Sequence, residues 1–86
     1  MVITKQIVAD KIAAYLRGKL TVESLVDWAE NALLEGEFVE ADTHVLSPVL
    51  ARLGVADVRA FGLAWQDCEL LLRQLGYTAR VEIVPA

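Results

Sequence analysis

Apolar residues recur along most of the chain at three- and four-residue spacing, and glycines interrupt the pattern. Gly18, Gly36, Gly54 and Gly76 each follow such a segment, where a residue of left-handed backbone commonly ends a helix. The pattern predicts a chain of short helices. In the first, over about residues 4–17, Val8, Ile12, Tyr15 and Leu16 share one face, while Ile7 and Ala14 fall off it. The second starts at Thr21, whose hydroxyl suits the free amides of a first helical turn. Leu20 and Leu25 flank that cap at the spacing of a hydrophobic staple. Val22, Leu25, Val26, Ala29, Ala32 and Leu33 then form the buried stripe.

The third segment, "ADTHVLSPVLARLG", keeps helical spacing through Val45, Leu46, Val49, Leu50 and Leu53. Proline removes a hydrogen bond and clashes inside a helix. Ser47 as the cap and Pro48 as the first helical residue would satisfy both side chains, whereas a helix from Asp42 or Thr43 would have to kink. "ADVRAFG" reads as a turn or short helix. A last helix from about Ala64 to Leu75 buries Trp65, Cys68, Leu71, Leu72 and Leu75, and spaces Glu69 and Arg73 for an i,i+4 pair. After Gly76 the period changes. Tyr77, Ala79, Val81 and Ile83 alternate with Thr78, Arg80 and Glu82, which predicts a strand within residues 77–84. A strand needs a mate: the segment "MVIT", the same strand of a second copy, or, if it stays irregular, the surface of the helices. The expected fold is mainly α: a single domain over residues 1–86, a compact bundle of about four helices with a short C-terminal β-strand or extended segment.

Composition adds a surplus of apolar surface. The hydrophobic fraction is 56% in 86 residues, above the roughly 45–50% usual for soluble domains. Such a surplus often marks an interface. No apolar run approaches the ~20 residues needed to span a bilayer, and the opening "MVITKQIVADK" lacks the basic leader and apolar core of a signal peptide. Cys68 is the one cysteine and has no internal disulfide partner, which fits a reducing, cytoplasmic setting.

Charge changes the picture more when read in blocks. Residues 1–20 carry a net charge of +3, residues 21–51 carry seven acids and no lysine or arginine, and the remainder balances four against four. An acidic middle repels phosphate, so nucleic acid is a poor partner. A basic protein is a better one. Within the stretch "DWAENALLEGEFVEAD", and just before it, the second helix sets Glu23, Asp27 and Glu30 at i, i+4 and i+7, a single row far from the apolar stripe. Such a row is the ordinary wet side of an amphipathic helix. Two details favour a surface for a partner. Like charges at this spacing oppose helix formation, and Leu34 stands in the same row. Trp28 lies at the border of the apolar stripe, and aromatic anchors rimmed by charge are typical of interfaces. Glu23, Asp27, Glu30, Leu34 and Trp28 are therefore the candidate partner-binding residues. Leu70, opposite the buried face of the last helix, is a further apolar outlier.

Other chemistries find little support. Glu37, Glu40, Asp42 and His44 include metal-ligating types, but their spacing matches no calcium loop. Cys68 falls in the middle of an apolar stripe, where cysteine behaves as a small hydrophobe, and no phosphate-binding glycine loop or dinucleotide fingerprint is present. The reading is of a non-enzyme with no cofactor and no metal site.

Two stretches, "LVDWAENALLEGEF" (residues 25–38) and "ARLGVADVRAFGLAWQDCELLLRQLGY" (residues 51–77), resemble small, mostly helical bacterial proteins without an assigned function. The resemblance implies a bacterial cytoplasmic setting and a compact helical fold, and carries no catalytic residue across. In that pattern a threonine or serine commonly precedes the last tryptophan as a cap; Ala64 stands there in this chain, and Pro48 is a second departure. Size, acidity and helicity are also shared with immunity proteins and antitoxins that mask basic toxin domains, an analogy at the level of fold. The leading expectation is a cytoplasmic protein-binding module for a basic protein partner. The alternative is a self-associating homodimer, joined through the terminal strand or through Leu34 and Leu70.

Overall fold

A computed structural model of the chain describes residues 1–85 and shows a mainly α fold in which four helices surround one apolar core. A two-residue strand β1 (Val2–Ile3) precedes helices α1 (Lys5–Leu16) and α2 (Val22–Glu35). Strand β2 (Glu37–Phe38) and a 3-10 turn (Glu40–Asp42) lead into α3 (Thr43–Gly54), and a turn-rich loop leads into α4 (Trp65–Gln74). The helix starts follow local chemistry. Thr4 and Thr21 accept from the amides of Ile7 and Ser24, each at 3.1 Å, and so cap α1 and α2. At α4 the cap residue Ala64 has no side-chain acceptor. Asp67, three residues on, instead takes the Ala64 amide at 2.8 Å, which is the reciprocal half of a capping box.

Ile3, Val8, Ile12, Leu25, Ala29 and Ala32 are fully buried together with Leu46, Val49, Leu50, Leu53 and Cys68. Burying each large aliphatic side chain contributes about 1.5–3 kcal/mol. The apolar spacing of the sequence thus sets the inner faces of all four helices. Leu33 is a correction: it is 37% exposed, in the last turn of α2, whereas Val26 on the same flank earlier in the helix is buried. Val22 and Trp65, also expected inside, are half-buried.

The start of the third helix, open in the sequence between Asp42 or Thr43 and Pro48, lies at Thr43, and the helix runs through the proline. Starting upstream of the proline brings Leu46 into the core with Val49, Leu50 and Leu53. Pro48 itself lies on the exposed side, where water can bond the carbonyl left free one turn earlier. Of the two forms expected for residues 77–84, a strand or an extended segment, the strand does not form and the extended segment does. The tail is irregular chain whose alternate residues have no face to bury: Val81 is exposed and Ile83 is 93% exposed, and only Ala79 packs on the core. Segment "MVIT" does pair, but with residues 37 and 38, in a parallel two-stranded sheet with Val2 opposite Glu37 and Ile3 opposite Phe38. Finally, only two of the four punctuating glycines have left-handed backbone, Gly18 and Gly76, with φ of 73° and 94°. Gly36 is required for another reason. It is extended, with φ −74°, and a Cβ there would collide with the Ala32 carbonyl oxygen and lie 2.7 Å from Ile3 Cγ1. The missing side chain lets β1 pack against the end of α2.

Candidate functional site: the outer face of α2

Because α2 is capped at Thr21 and buries Leu25, Ala29 and Ala32, its rotation about its own axis is fixed. The opposite side must then face solvent. Glu23, Asp27, Glu30 and Leu34 fall within about 60° of arc on an ideal helix, and all four are exposed. Leu34 is 82% exposed, so an uncovered isobutyl group continues the acidic row.

Among the described residues none of the three acids forms an ion pair. The ion pairs among the described residues join Lys5 to Asp42 at 3.5 Å, Arg52 to Asp67 at 3.5 Å and Arg73 to Glu69 at 3.9 Å. Of the seven acids in residues 21–51, Asp42 alone is paired, which leaves six without a basic partner. Glu30 has a defined stem: a Cβ at Gly54 would lie 3.7 Å from its Cγ, so this side chain leans over the end of α3.

Trp28 stands apart from the other four candidates. It lies roughly 130° around the helix from the centre of the row, half-buried and packed on the core. The Lys11 ammonium sits 5.4 Å from its ring centroid, within the range of a cation–π contact. The tryptophan thus joins α2 to α1. Leu70, the outlier of the last helix, is 57% exposed.

The remaining candidates of the sequence are dispersed. Among the described residues no group of three or more His, Cys, Asp or Glu side chains is placed to hold a metal ion. Asp42 is held by Lys5, while exposed His44 borders a cavity of about 320 Å³ beside Val45, Pro48 and Gln74. Cys68 is fully buried. Burial, with a smaller contribution from the adjacent Asp67 carboxylate, pushes its thiol from 9.0 up to about 11, against the opposing pull of Arg52. At neutral pH the sulfur is therefore the unreactive thiol. No helix among the described residues is long and apolar enough to cross a membrane.

Sequence reasoning missed the cluster around Arg52. This side chain pairs with Asp67 and lies 5.9 Å from the Phe61 ring centroid, while its Nη1 is buried without a hydrogen-bond partner. Arg52 and Asp67 are fifteen residues apart in sequence, and neither lies at helical spacing from the other, so periodicity carries no trace of the pair.

Compared with protein-family models, curated proteins and solved structures, the chain gives no match.

Proposed function

We propose that the protein is a cytoplasmic protein-binding module whose α2 outer face receives a basic protein segment. The observation that carries this reading is the row of Glu23, Asp27 and Glu30, free of internal ion pairs and continued by exposed Leu34. Three carboxylates of one sign on a fixed helix attract lysine- or arginine-rich surfaces, which raises the association rate and selects partners more than it deepens affinity. Leu34 supplies the apolar contact that closes the interface. Trp28 serves the α1–α2 junction instead.

The test is capture from a native lysate at low and at high salt, with wild type compared against the folded variant Glu23→Lys, Asp27→Lys, Glu30→Lys. The reading expects one basic protein held by the wild type, released by salt and absent with the variant. Equal retention by both chains contradicts it.

A second reading is self-association. Leu34, Leu70 and Ile83 are exposed, and the two-stranded sheet has unpaired edges, which invite strand addition. Sedimentation across micromolar concentrations separates the two: a constant monomer mass removes the homodimer.

A further inference from the structure

On the side of the molecule formed by α1, α4 and the tail lies a cavity of about 410 Å³. This size falls within the range of small-molecule sites. Its floor is apolar: Ala13 and Leu16 come from α1 and Leu72 from α4, with Trp65 at the start of α4 as one wall. Tyr77 and Arg80 of the tail also line it. The tail is held there by the amide of Tyr77, which donates to the Leu72 carbonyl at 2.8 Å, and by Ala79, which packs on the core.

The charge of this cavity is opposite to that of the chain. The protein carries a net charge of −4, yet the cavity is bordered by Arg17 and Arg80 against Asp10 alone, a local balance of two minus one, or +1. Neither guanidinium takes part in any of the ion pairs formed among the described residues. At the helix end beside Arg17 three of the last carbonyls are already hydrogen-bonded to backbone amides, so they do not compete for the guanidinium. Ala13, Ala14 and Tyr15 accept from the amides of Arg17, Lys19 and Gly18 at 3.0, 2.9 and 3.1 Å. Two exposed guanidiniums at the rim of an apolar, tryptophan-walled hollow are suited to bidentate capture of a carboxylate.

We infer that this cavity binds a small monocarboxylate with an apolar body about the size of one aromatic ring. The ring or chain lies on Leu16, Leu72 and Trp65, and the carboxylate meets Arg17 and Arg80. The single excess positive charge favours a monoanion over a dianion, since Asp10 repels the second charge. This site is separate from the outer face of α2 and does not depend on a protein partner.

The experiment is a titration of the whole chain with phenylacetate, 4-phenylbutyrate and octanoate, followed by amide chemical shifts, with phenylacetamide as the neutral control. The expected result is saturable shifts that cluster in residues 9–17, 65–72 and 77–80 for at least one carboxylate, with binding of the amide about tenfold weaker or more, as for one lost charge-assisted hydrogen bond. Arg17→Gln and Arg80→Gln, both exposed positions whose variants should keep wild-type spectra elsewhere, should each weaken the carboxylate by a similar factor. Absence of saturable shifts for all three acids, shifts centred on another region, or equal binding of phenylacetate and its amide would each overturn the proposal.

Discussion

Helices α2 and α4 are built alike on the inside and differ on the outside. Each presents a continuous apolar stripe to the same core, Leu25, Ala29 and Ala32 in one and Cys68, Leu71 and Leu72 in the other. On α4 both acids serve the fold. Asp67 accepts the Ala64 amide and faces Arg52, and Glu69 pairs with Arg73 one turn on. On α2 the three acids of the outer row face no base and accept no hydrogen bond from another residue among the described ones. The difference separates charge that holds the structure from charge left available to something outside it. A solvated helix face is usually interspersed with both signs; an unmixed row carries mutual repulsion that an incoming cation would relieve.

A large effect is expected where β1 meets the C-terminal cap of α2. Gly36→Ala places a methyl group against the Ala32 carbonyl and Ile3, and should lower stability by about 1–3 kcal/mol, read from the midpoint of urea unfolding. Next comes the α4 cap. Asp67→Ala removes the acceptor for Ala64 and the partner of Arg52, and a loss of about 1 kcal/mol or somewhat more is expected. Asp67→Asn keeps an acceptor for the cap, and should recover most of that loss.

The same aspartate reaches Cys68. The folded thiol titrates near 11, above its ordinary 9.0. The stabilisation linked to it is therefore complete below pH 9, and is lost as pH rises through about 11, because the unfolded chain ionises first. The ultraviolet absorbance of the thiolate in the native protein should follow the higher value. In Asp67→Ala it should shift to lower pH, since a negative neighbour is removed while burial remains. A profile unchanged by the substitution would mean that burial alone sets the thiol. The smallest effect is on the outer pair of α4: Glu69→Ala should cost a few tenths of a kcal/mol, as for exposed i,i+4 pairs.

Much of this was legible in the sequence, and the reason is local. Thr21, the buried positions of α2 and α4, and the pair Glu69–Arg73 depend on neighbours within one or two turns, where periodicity speaks directly. Other points depend on how the elements pack. The start of α3 is open in the sequence, and beginning at Thr43 brings Leu46 into the core. The alternation of Tyr77 to Ile83 describes a strand only if one face can be buried, and beyond Ala79 the exposed Val81 and Ile83 have none. Gly36 is explained by the approach of Ile3, thirty-three residues earlier. Of the candidate site, the row of Glu23, Asp27, Glu30 and Leu34 could be drawn from a helical wheel. The diversion of Trp28 could not, since it depends on Lys11 of another helix.

Glu23 stands in the first turn of α2, where its charge favours the helix N-terminus. The central claim is that Asp27 and Glu30 of the outer row have no duty within the fold. Its most direct test is equilibrium unfolding of the neutral variant Asp27→Asn, Glu30→Gln beside the wild type, with Glu23 kept because its charge supports the start of α2. The account predicts a midpoint equal to that of the wild type, or raised by the few tenths of a kcal/mol that relief of like-charge repulsion provides. A loss of about 1 kcal/mol, comparable with that expected for Asp67→Ala, would contradict it and return the row to the service of the structure.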